Sequence, residues 1–350
     1  MSLADSILVT GGAGFIGSHL CEALLAQGRR VVILDDFNNF YDPGIKLANL
    51  TAVRSRAEES GSRLTFLKGD IRNPADLERA FTALGPGEEA ALVHLAAMAG
   101  VRPSIENPLL YNEVNVTGTL LILEACRRHG VNRLAFASSS SVYGNNEKVP
   151  FAESDSVDHP ISPYAATKKA GELLCHNYHH LYGLSVACLR FFTVYGPRQR
   201  PDLAINKFAR LIEAGKPLPF YGDGSTRRDY TYITDTLQGV LGSLRWLAEA
   251  REPVFDIFNL GESRTVDLNT LVNVLGEAMG KEVWLDRQPM QPGDVMCTYA
   301  DIGKARRVLG YNPQVALEEG VPRFVDWFRG AKGRGQEVCS DVIFSLDIHS

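Results

Sequence analysis

Two groups of residues in this chain have the types and the spacing of a proton-transfer site. In Ser162-Pro163-Tyr164-Ala165-Ala166-Thr167-Lys168, which opens an apolar helical stretch, Tyr164 and Lys168 stand four apart and so project from one helix face. An ammonium beside a phenol favours the phenolate and draws down a pKa that starts at about 10. Tyrosine then becomes a usable general base. On its own the same pair reads more readily as a solvated helix face. The second group, Ala137-Ser138-Ser139-Ser140-Ser141-Val142-Tyr143-Gly144, directly follows a strand-like run. Its hydroxyls can hold a substrate oxygen, although a serine run by itself also makes a polar turn.

A third group supplies a place for phosphates. An apolar run at 7–10 leads into Gly11-Gly12-Ala13-Gly14-Phe15-Ile16-Gly17 and then a helix, so the glycines sit at a strand-to-helix turn. Backbone can approach a pyrophosphate there, and the helix N-terminus favours its charge. Glycines alone can serve only tight helix-strand packing. The next apolar run, however, ends on Asp35, and an acid about 20 residues past the glycines accepts hydrogen bonds from the adenosine ribose hydroxyls of a dinucleotide. A carboxylate there repels a 2′-phosphate, and Asp36 adds to the sign, so the expected cofactor is NAD rather than NADP. Asn38, Gly69-Asp70-Ile71 after the third run and His94-Leu95-Ala96-Ala97 after the fourth are expected to wall the same pocket. Asp70 is equally an ordinary turn or cap aspartate on residue type alone.

These groups need a scaffold that brings them to one edge. Strand-like runs at 7–10, 31–34, 64–67, 91–95, 134–137 and 185–189 alternate with helical stretches, which predicts an α/β fold: a Rossmann-type doubly wound parallel sheet. In such sheets the ligand lies beyond the carboxyl ends of the strands, where all three groups fall. After about residue 190 the elements become short and are punctuated by Gly and Pro. The expected organisation is an NAD-binding domain over 1–190, a smaller mixed α/β substrate lid over 191–330 interleaved with it, and a tail over 331–350 with no assigned role.

The chain has 350 residues, 45% of them hydrophobic, and a net charge of −5 with Lys and Arg scattered, so neither nucleic acid nor a membrane surface is an expected partner. No apolar run approaches the roughly 18 residues of a spanning helix, and no secretory leader is evident, so a cytoplasmic location is expected. The six cysteines, Cys21, Cys126, Cys175, Cys188, Cys297 and Cys339, lack close pairing and metal spacing and read as reduced, buried thiols; no metal is expected.

With these motifs assembled, the chain resembles the extended short-chain dehydrogenases/reductases over almost its whole length to about residue 329, and among them the nucleotide-sugar 4-epimerases. The motifs are 11–17, 138–144, Tyr164 with Lys168, Arg190-Phe191-Phe192-Thr193-Val194-Tyr195-Gly196-Pro197, Arg228-Asp229-Tyr230-Thr231-Tyr232-Ile233, and Met290-Gln291-Pro292-Gly293-Asp294-Val295. The resemblance implies that Tyr164 takes the proton of the C4 hydroxyl while tightly held NAD takes the hydride, with Ser139 and Ser141 on the oxygen. The 4-keto sugar then turns over and the hydride returns to its other face. It also implies that Lys168 contacts the nicotinamide ribose, that Asn115 holds the helix near the catalytic residues, and that Arg228 pairs with the substrate diphosphate, for which guanidinium geometry is suited. A salt bridge from Arg228 to Asp229 or another acid is the alternative. Related dehydratases and decarboxylases carry acids where this chain has Ser140-Ser141, which favours simple epimerisation. A homodimer through helices at 107–129 and 162–181 is implied in the same way.

Within the epimerases, Asp36-Phe37-Asn38-Asn39-Phe40-Tyr41-Asp42-Pro43, Ala99-Gly100-Val101-Arg102-Pro103-Ser104, Phe191-Phe192-Thr193 and Met290-Gln291-Pro292-Gly293-Asp294 look most like enzymes acting on UDP-glucuronate. There the resemblance puts Arg200, with Thr193 and the serines, near the C6 carboxylate, and Arg102, Gln291 and Asp294 around the UDP-sugar. A carboxylate held in the ring plane resists loss of CO₂ from the 4-keto sugar. Two departures point toward neutral or N-acetylated sugars: Arg198-Gln199 replaces the usual Trp-Gly, and Thr298 leaves room at C2. UDP-glucose or UDP-N-acetylglucosamine is therefore the alternative substrate, and a catalytically silent NAD-binding regulator is the alternative of another class.

Overall fold

The computed structural model describes residues 3–85, 87–289 and 295–334. The motif at 290–294, with Gln291 and Asp294, lies outside the described residues, as do Cys339 and the tail beyond 334. Strands β1 Ser6–Thr10, β2 Arg30–Asp35, β3 Leu64–Lys68, β4 Ala90–His94, β5 Arg133–Ser139 and β6 Ser185–Phe191 are followed by β7 Thr193–Tyr195, β8 Leu218–Tyr221, β9 Arg227–Tyr232, β10 Phe255–Leu260, β11 Thr265–Asp267 and β12 Leu285–Gln288. The main sheet has the order β10-β6-β5-β4-β1-β2-β3 with every neighbouring pair parallel. The order reverses between β1 and β4, which opens a crevice at their carboxyl ends.

β1 and β4 are buried throughout and apolar almost throughout, as strands covered by helices on both faces must be. The covering helices of the first part are α1 Phe15–Leu25, α2 Pro43–Ser60, α3 Pro74–Leu84, α4 Val101–Glu106, α5 Pro108–Asn112, α6 Gly118–His129 and α7 Pro163–Tyr182. Their starts are local: Asp42, Asn73 and Ser162 cap α2, α3 and α7 through side-chain acceptors, each followed by proline. The second part adds α8 Ala204–Glu213, α9 Ile233–Glu249, α10 Leu268–Met279, α11 Gly303–Leu309 and α12 Leu317–Arg334. Two hydrophobic cores fill the faces of the sheet, one joining α1 and β1 to the C-terminal elements, the other holding α3, α6 and β5.

Two features differ from the simplest reading of the sequence. The helix expected over 107–129 is three pieces, α5, a π-helical turn Glu113–Thr117 and α6. The π turn brings Asn115 inward, and Gly118 follows because a Cβ there would stand 2.7 Å from Ile71. The C-terminal part is not only a lid, since β10 pairs with β6 and α9 packs on β5 and β6. The remaining strands form a three-stranded sheet, β11-β9-β7, and a two-stranded one, β12-β8.

Candidate active site

A cavity of about 400 Å³ runs along the carboxyl ends of the main sheet. At one end β1 turns into α1 through Gly11, whose φ of +71° is open to glycine. A Cβ on Gly17 would stand 2.2 Å from the Gly11 oxygen, so helix and turn meet without side chains between them. No side chain caps α1 at Gly14, and the first turn, Phe15, Ile16 and Gly17, lines the cavity. This cradle fits a pyrophosphate.

Asp35 closes β2 at the same end and is 4% exposed. Its carboxylate accepts from Ala13 N at 3.1 Å, Phe37 N at 3.0 Å and the Lys46 ammonium at 2.9 Å. Lys46 also lies 3.5 Å from Asp36. This lysine was not singled out from the sequence; it offsets the acidic pair expected to reject a 2′-phosphate. Asn38, Asp70, Ile71, Leu95, Ala96 and Ala97 line the cavity as expected. Asp70 is a turn aspartate, its carboxylate accepting from Arg72 N at 2.8 Å, and the Arg72 side chain also hydrogen-bonds it through Nε and Nη2 and holds its carboxyl below the usual range.

At the other end β5 delivers the serines. Ser138, Ser139, Ser140 and Ser141 all line the cavity. The Ser138 hydroxyl donates to Glu172 at 2.6 Å, whereas Ser139 donates to Ser141 Oγ at 3.1 Å and accepts from Ser141 N at 3.2 Å. Glu172 is itself clamped by Arg190 at 2.8 and 2.9 Å, a buried pair that fixes α7 against β6.

Tyr164 and Lys168 face this end from α7. Burial raises the Tyr164 pKa, while hydrogen bonding with Ser139 and the charge of Arg200 pull it down. Lys168 stands over the Tyr164 ring, as their spacing on one helix face predicts. Its ammonium donates to the Ala137 carbonyl at 2.9 Å and lies 5.9 Å from the Tyr164 ring centroid, and burial lowers its own pKa to about 8. Asn115 ties the helix to the loop after β4: its amide accepts from Met98 N at 2.8 Å and donates to Met98 O at 2.9 Å and Thr167 Oγ1 at 3.0 Å.

Arg200 enters the cavity from the loop after β7. It makes a two-pronged contact with Asp202 at 3.0 and 2.6 Å, reaches the Ala99 carbonyl at 3.4 Å and lies 5.3 Å from the centre of the Phe40 ring. Thr193 and Leu203 are shared with a second cavity of about 250 Å³, lined also by Phe208, Tyr221, Arg228 and Tyr230. Arg102 lies 5.2 Å from the centre of the Tyr221 ring. The alternative reading of an Arg228–Asp229 pair fails, because neighbouring residues on a strand face opposite ways. Asp229 is buried and accepts from the backbone of Glu262, Ser263 and Ala300 at 2.7–3.1 Å, and Thr298 Oγ1 accepts from Asp229 N at 3.2 Å. Tyr111 carries no signal in the sequence, and Phe40, though part of the 36–43 motif, has no spacing that marks its contact with Arg200. Of the expected cysteines, Cys21, Cys126, Cys175 and Cys188 are buried free thiols and Cys297 is half-buried.

Among known proteins, residues 8–324 match the family model described as GDP-mannose 4,6 dehydratase. A UDP-glucuronate 4-epimerase of Thermodesulfobacterium geofontis is 41% identical over 321 residues, 91% of this chain and 95% of that protein. A crystal structure of UDP-glucuronic acid 4-epimerase from Bacillus cereus, in complex with UDP-glucuronic acid and NAD, superposes with a TM-score of 0.83 at 35% identity over 93% of this chain and 99% of that one. A UDP-glucose 4-epimerase of Thermotoga maritima, solved with UDP-glucose, gives 0.82 at 33% identity over 93% and 99%. The glycine turn, the serine-bearing strand end and the Tyr164 helix are thus set in a chain that belongs to the GDP-mannose 4,6 dehydratase family, the extended short-chain dehydrogenase/reductase epimerases and dehydratases.

Proposed function

We propose that this protein is an NAD-dependent UDP-glucuronate 4-epimerase, interconverting UDP-glucuronate and UDP-galacturonate. The observation that carries the sugar assignment is Arg200, a largely buried guanidinium lining the same cavity as Tyr164 and the serines. The described carboxylates lining that cavity, Asp35, Asp36 and Asp70, are all at the end away from Tyr164. Loss of water or CO₂ therefore lacks a carboxylate to handle its proton, as the absence of acids at Ser140-Ser141 led us to expect.

Gly11, Gly14 and Gly17 with the first turn of α1 would hold the pyrophosphate of NAD, Asp35 the adenosine ribose, and Lys168 the nicotinamide ribose. NAD, when bound, supplies the acceptor and the return donor for the C4 hydride. Tyr164 takes the proton from the C4 hydroxyl and gives it back to the same oxygen when the hydride returns to the other face of C4. Ser139 and Ser141, already hydrogen-bonded to each other, hold the C4 oxygen in place. Asn115 keeps α7 in register with the loop after β4, so that Tyr164 meets the oxygen at a fixed distance. Arg228, Arg102 and the second cavity take the nucleotide diphosphate, and residues 191–330 act as the substrate lobe.

We also read the chain as a cytoplasmic homodimer. Leu109, Leu173 and Leu181, on α5 and α7, are 77%, 59% and 57% exposed, an apolar face suited to a second copy. No helix among the described residues is long and apolar enough to cross a membrane. A neutral or N-acetylated sugar is the second reading, favoured by the small side chain at Thr298. The test is to incubate purified protein, without added cofactor, with UDP-glucuronate, UDP-glucose and UDP-N-acetylglucosamine and to separate the products. Conversion of UDP-glucuronate to UDP-galacturonate ahead of the other two is expected. Faster conversion of a neutral sugar moves the assignment to the second reading, and no conversion of any overturns it.

A further inference from the structure

Residues 197–200 join α1, just past the first turn that lines the cofactor cleft, to the loops after β2 and β4, and Arg200 lines the cleft itself. On the helix side, Arg198 donates to Glu22 of α1 at 2.7 Å and to Ser18 Oγ at 3.3 Å. The Nε2–H of His19, also on α1, donates to the Pro197 carbonyl at 2.9 Å, since a carbonyl can only accept. On the loop side, Arg200 meets Phe40 of the loop after β2 and Ala99 of the loop after β4. The root is fixed as well: Gln199 is buried, donates to the Val194 carbonyl at 3.1 Å and accepts from Asn206 N at 3.1 Å.

The backbone records a cost. Arg198 has φ +65°, the left-handed region that a side chain of its size rarely occupies. Such a conformation persists only where the surroundings over-determine it. Here the surroundings are the Glu22 carboxylate, only 21% exposed, and Ser18, one residue past the glycine turn. The helix gripped by this arginine is therefore the one whose first turn lines the pyrophosphate end of the cavity.

We infer that residues 197–200 form a strap over the cofactor cleft and that the Arg198–Glu22 pair is its latch, slowing the release of NAD and NADH. The proposed reaction gives the strap its use. A cofactor reduced in one half of the cycle must be present for the other half, and NADH lost midway leaves a keto sugar that nothing on the protein can reduce. The inference rests on the NAD site and not on which sugar is turned over.

The experiment measures release directly, with no sugar present. Protein loaded with NADH is mixed with a large excess of NAD, and the loss of bound-NADH fluorescence gives the release rate. The variants are Glu22→Ala, which suits a helix interior, Arg198→Asn, which tolerates the left-handed backbone, and the double variant. Each single variant is expected to release NADH about tenfold faster, the equivalent of one partly desolvated ion pair, and the double variant no faster than the quicker single. Because Glu22→Ala leaves the strap's own sequence intact, it carries the test even if Arg198→Asn does not fold. Release within twofold of the parent in Glu22→Ala, or effects that multiply in the double variant, overturn the latch. Failure of the sugar assignment would leave these rates untouched.

Discussion

The ring of Tyr111 stands edge-on to that of Tyr164, with centroids 6.2 Å apart and planes at 86°. Tyr111 is 1% exposed, and its hydroxyl donates to the Ala99 carbonyl at 3.0 Å, the same oxygen that Arg200 reaches from the other side. The proposed base therefore rests on a ring that is itself fixed, and one carbonyl ties that ring to the arginine that draws on the Tyr164 proton. Tyr111→Phe removes the hydroxyl and keeps the edge contact. It should cost about 0.5–1.5 kcal/mol of stability and reduce turnover by less than tenfold. Thermal melts and turnover measured on one preparation check this; an unchanged melting temperature would show that the Ala99 contact contributes nothing.

Tyr164→Phe takes away the proton acceptor with little change in packing. Loss of a general base typically costs about 10²–10⁴ in rate, while binding of the UDP-sugar, measured by calorimetry, should persist. Turnover within threefold of the parent would end the case for Tyr164.

Arg200→Ala should depress kcat/KM for UDP-glucuronate roughly 30-fold or more, since an unpaired carboxylate in a partly desolvated pocket costs about 2–5 kcal/mol. Losing this charge also removes one of the influences holding the Tyr164 pKa down, a change felt by every substrate. What tests carboxylate recognition is the excess loss over any UDP-glucose activity. Equal losses for both sugars would leave Arg200 with a role in positioning the loop or acting on Tyr164, and none in reading the carboxylate.

Asp35→Ala should weaken NAD binding by about 1.5–3 kcal/mol, the worth of a charge-assisted contact. It also leaves Lys46 with Asp36 alone, at 3.5 Å, so the melting temperature should fall too. Adding Lys46→Met should recover part of the loss in melting temperature, since Ala13 N and Phe37 N stay without their acceptor, and should not recover NAD. Unchanged NAD affinity in Asp35→Ala would mean that the adenosine pocket is misplaced.

Glu262→Gln tests a titration away from the cleft. Burial, then the charges of Asp235 and Asp229, raise the Glu262 pKa from 4.5 to about 8, and its Oε2 is buried without a hydrogen-bond partner. A carboxyl raised on folding binds its proton more tightly in the native state. Its contribution is thus fully present below about pH 4.5 and is lost as pH rises through about 8. The neutral variant should lack this loss and be more stable than the parent at pH 8.5, by about 1 kcal/mol after solvent screening. Denaturant melts at pH 5 and pH 8.5 decide it: a stability difference between parent and variant that does not change with pH refutes the shift.

Much of the site was legible because its signals are local. A strand running into Gly11 and Gly14, an acid closing the next strand, and Tyr164 and Lys168 one turn apart each express a periodicity or turn requirement within a few residues. The strand runs predicted for the first part match β1 to β6 to within two residues at their ends, since burial on both faces demands unbroken apolar stretches. The later strands were not placed. β7 and β11 are three residues long and β9 is largely polar, and their pairing joins segments far apart in the chain.

The sequence by itself determined the fold class, the cofactor end and the identity of the proposed base, because backbone geometry and side-chain alternation set those over short spans. Only the tertiary structure decided which charges meet. Lys46 reaches Asp35 across the start of α2, Arg198 reaches Glu22 from 176 residues away, and Asn115 reaches Thr167 through a π turn that no helical periodicity predicts. It also decided the surroundings of the proposed base and its lysine neighbour. Spacing puts Lys168 beside Tyr164, and packing adds the Ala137 carbonyl as a partner of the ammonium and Ser139 and Arg200 as influences on the phenol. Charges and hydrogen-bond donors go to the nearest acceptor in space, and that distance is set by packing between elements, not by position along the chain.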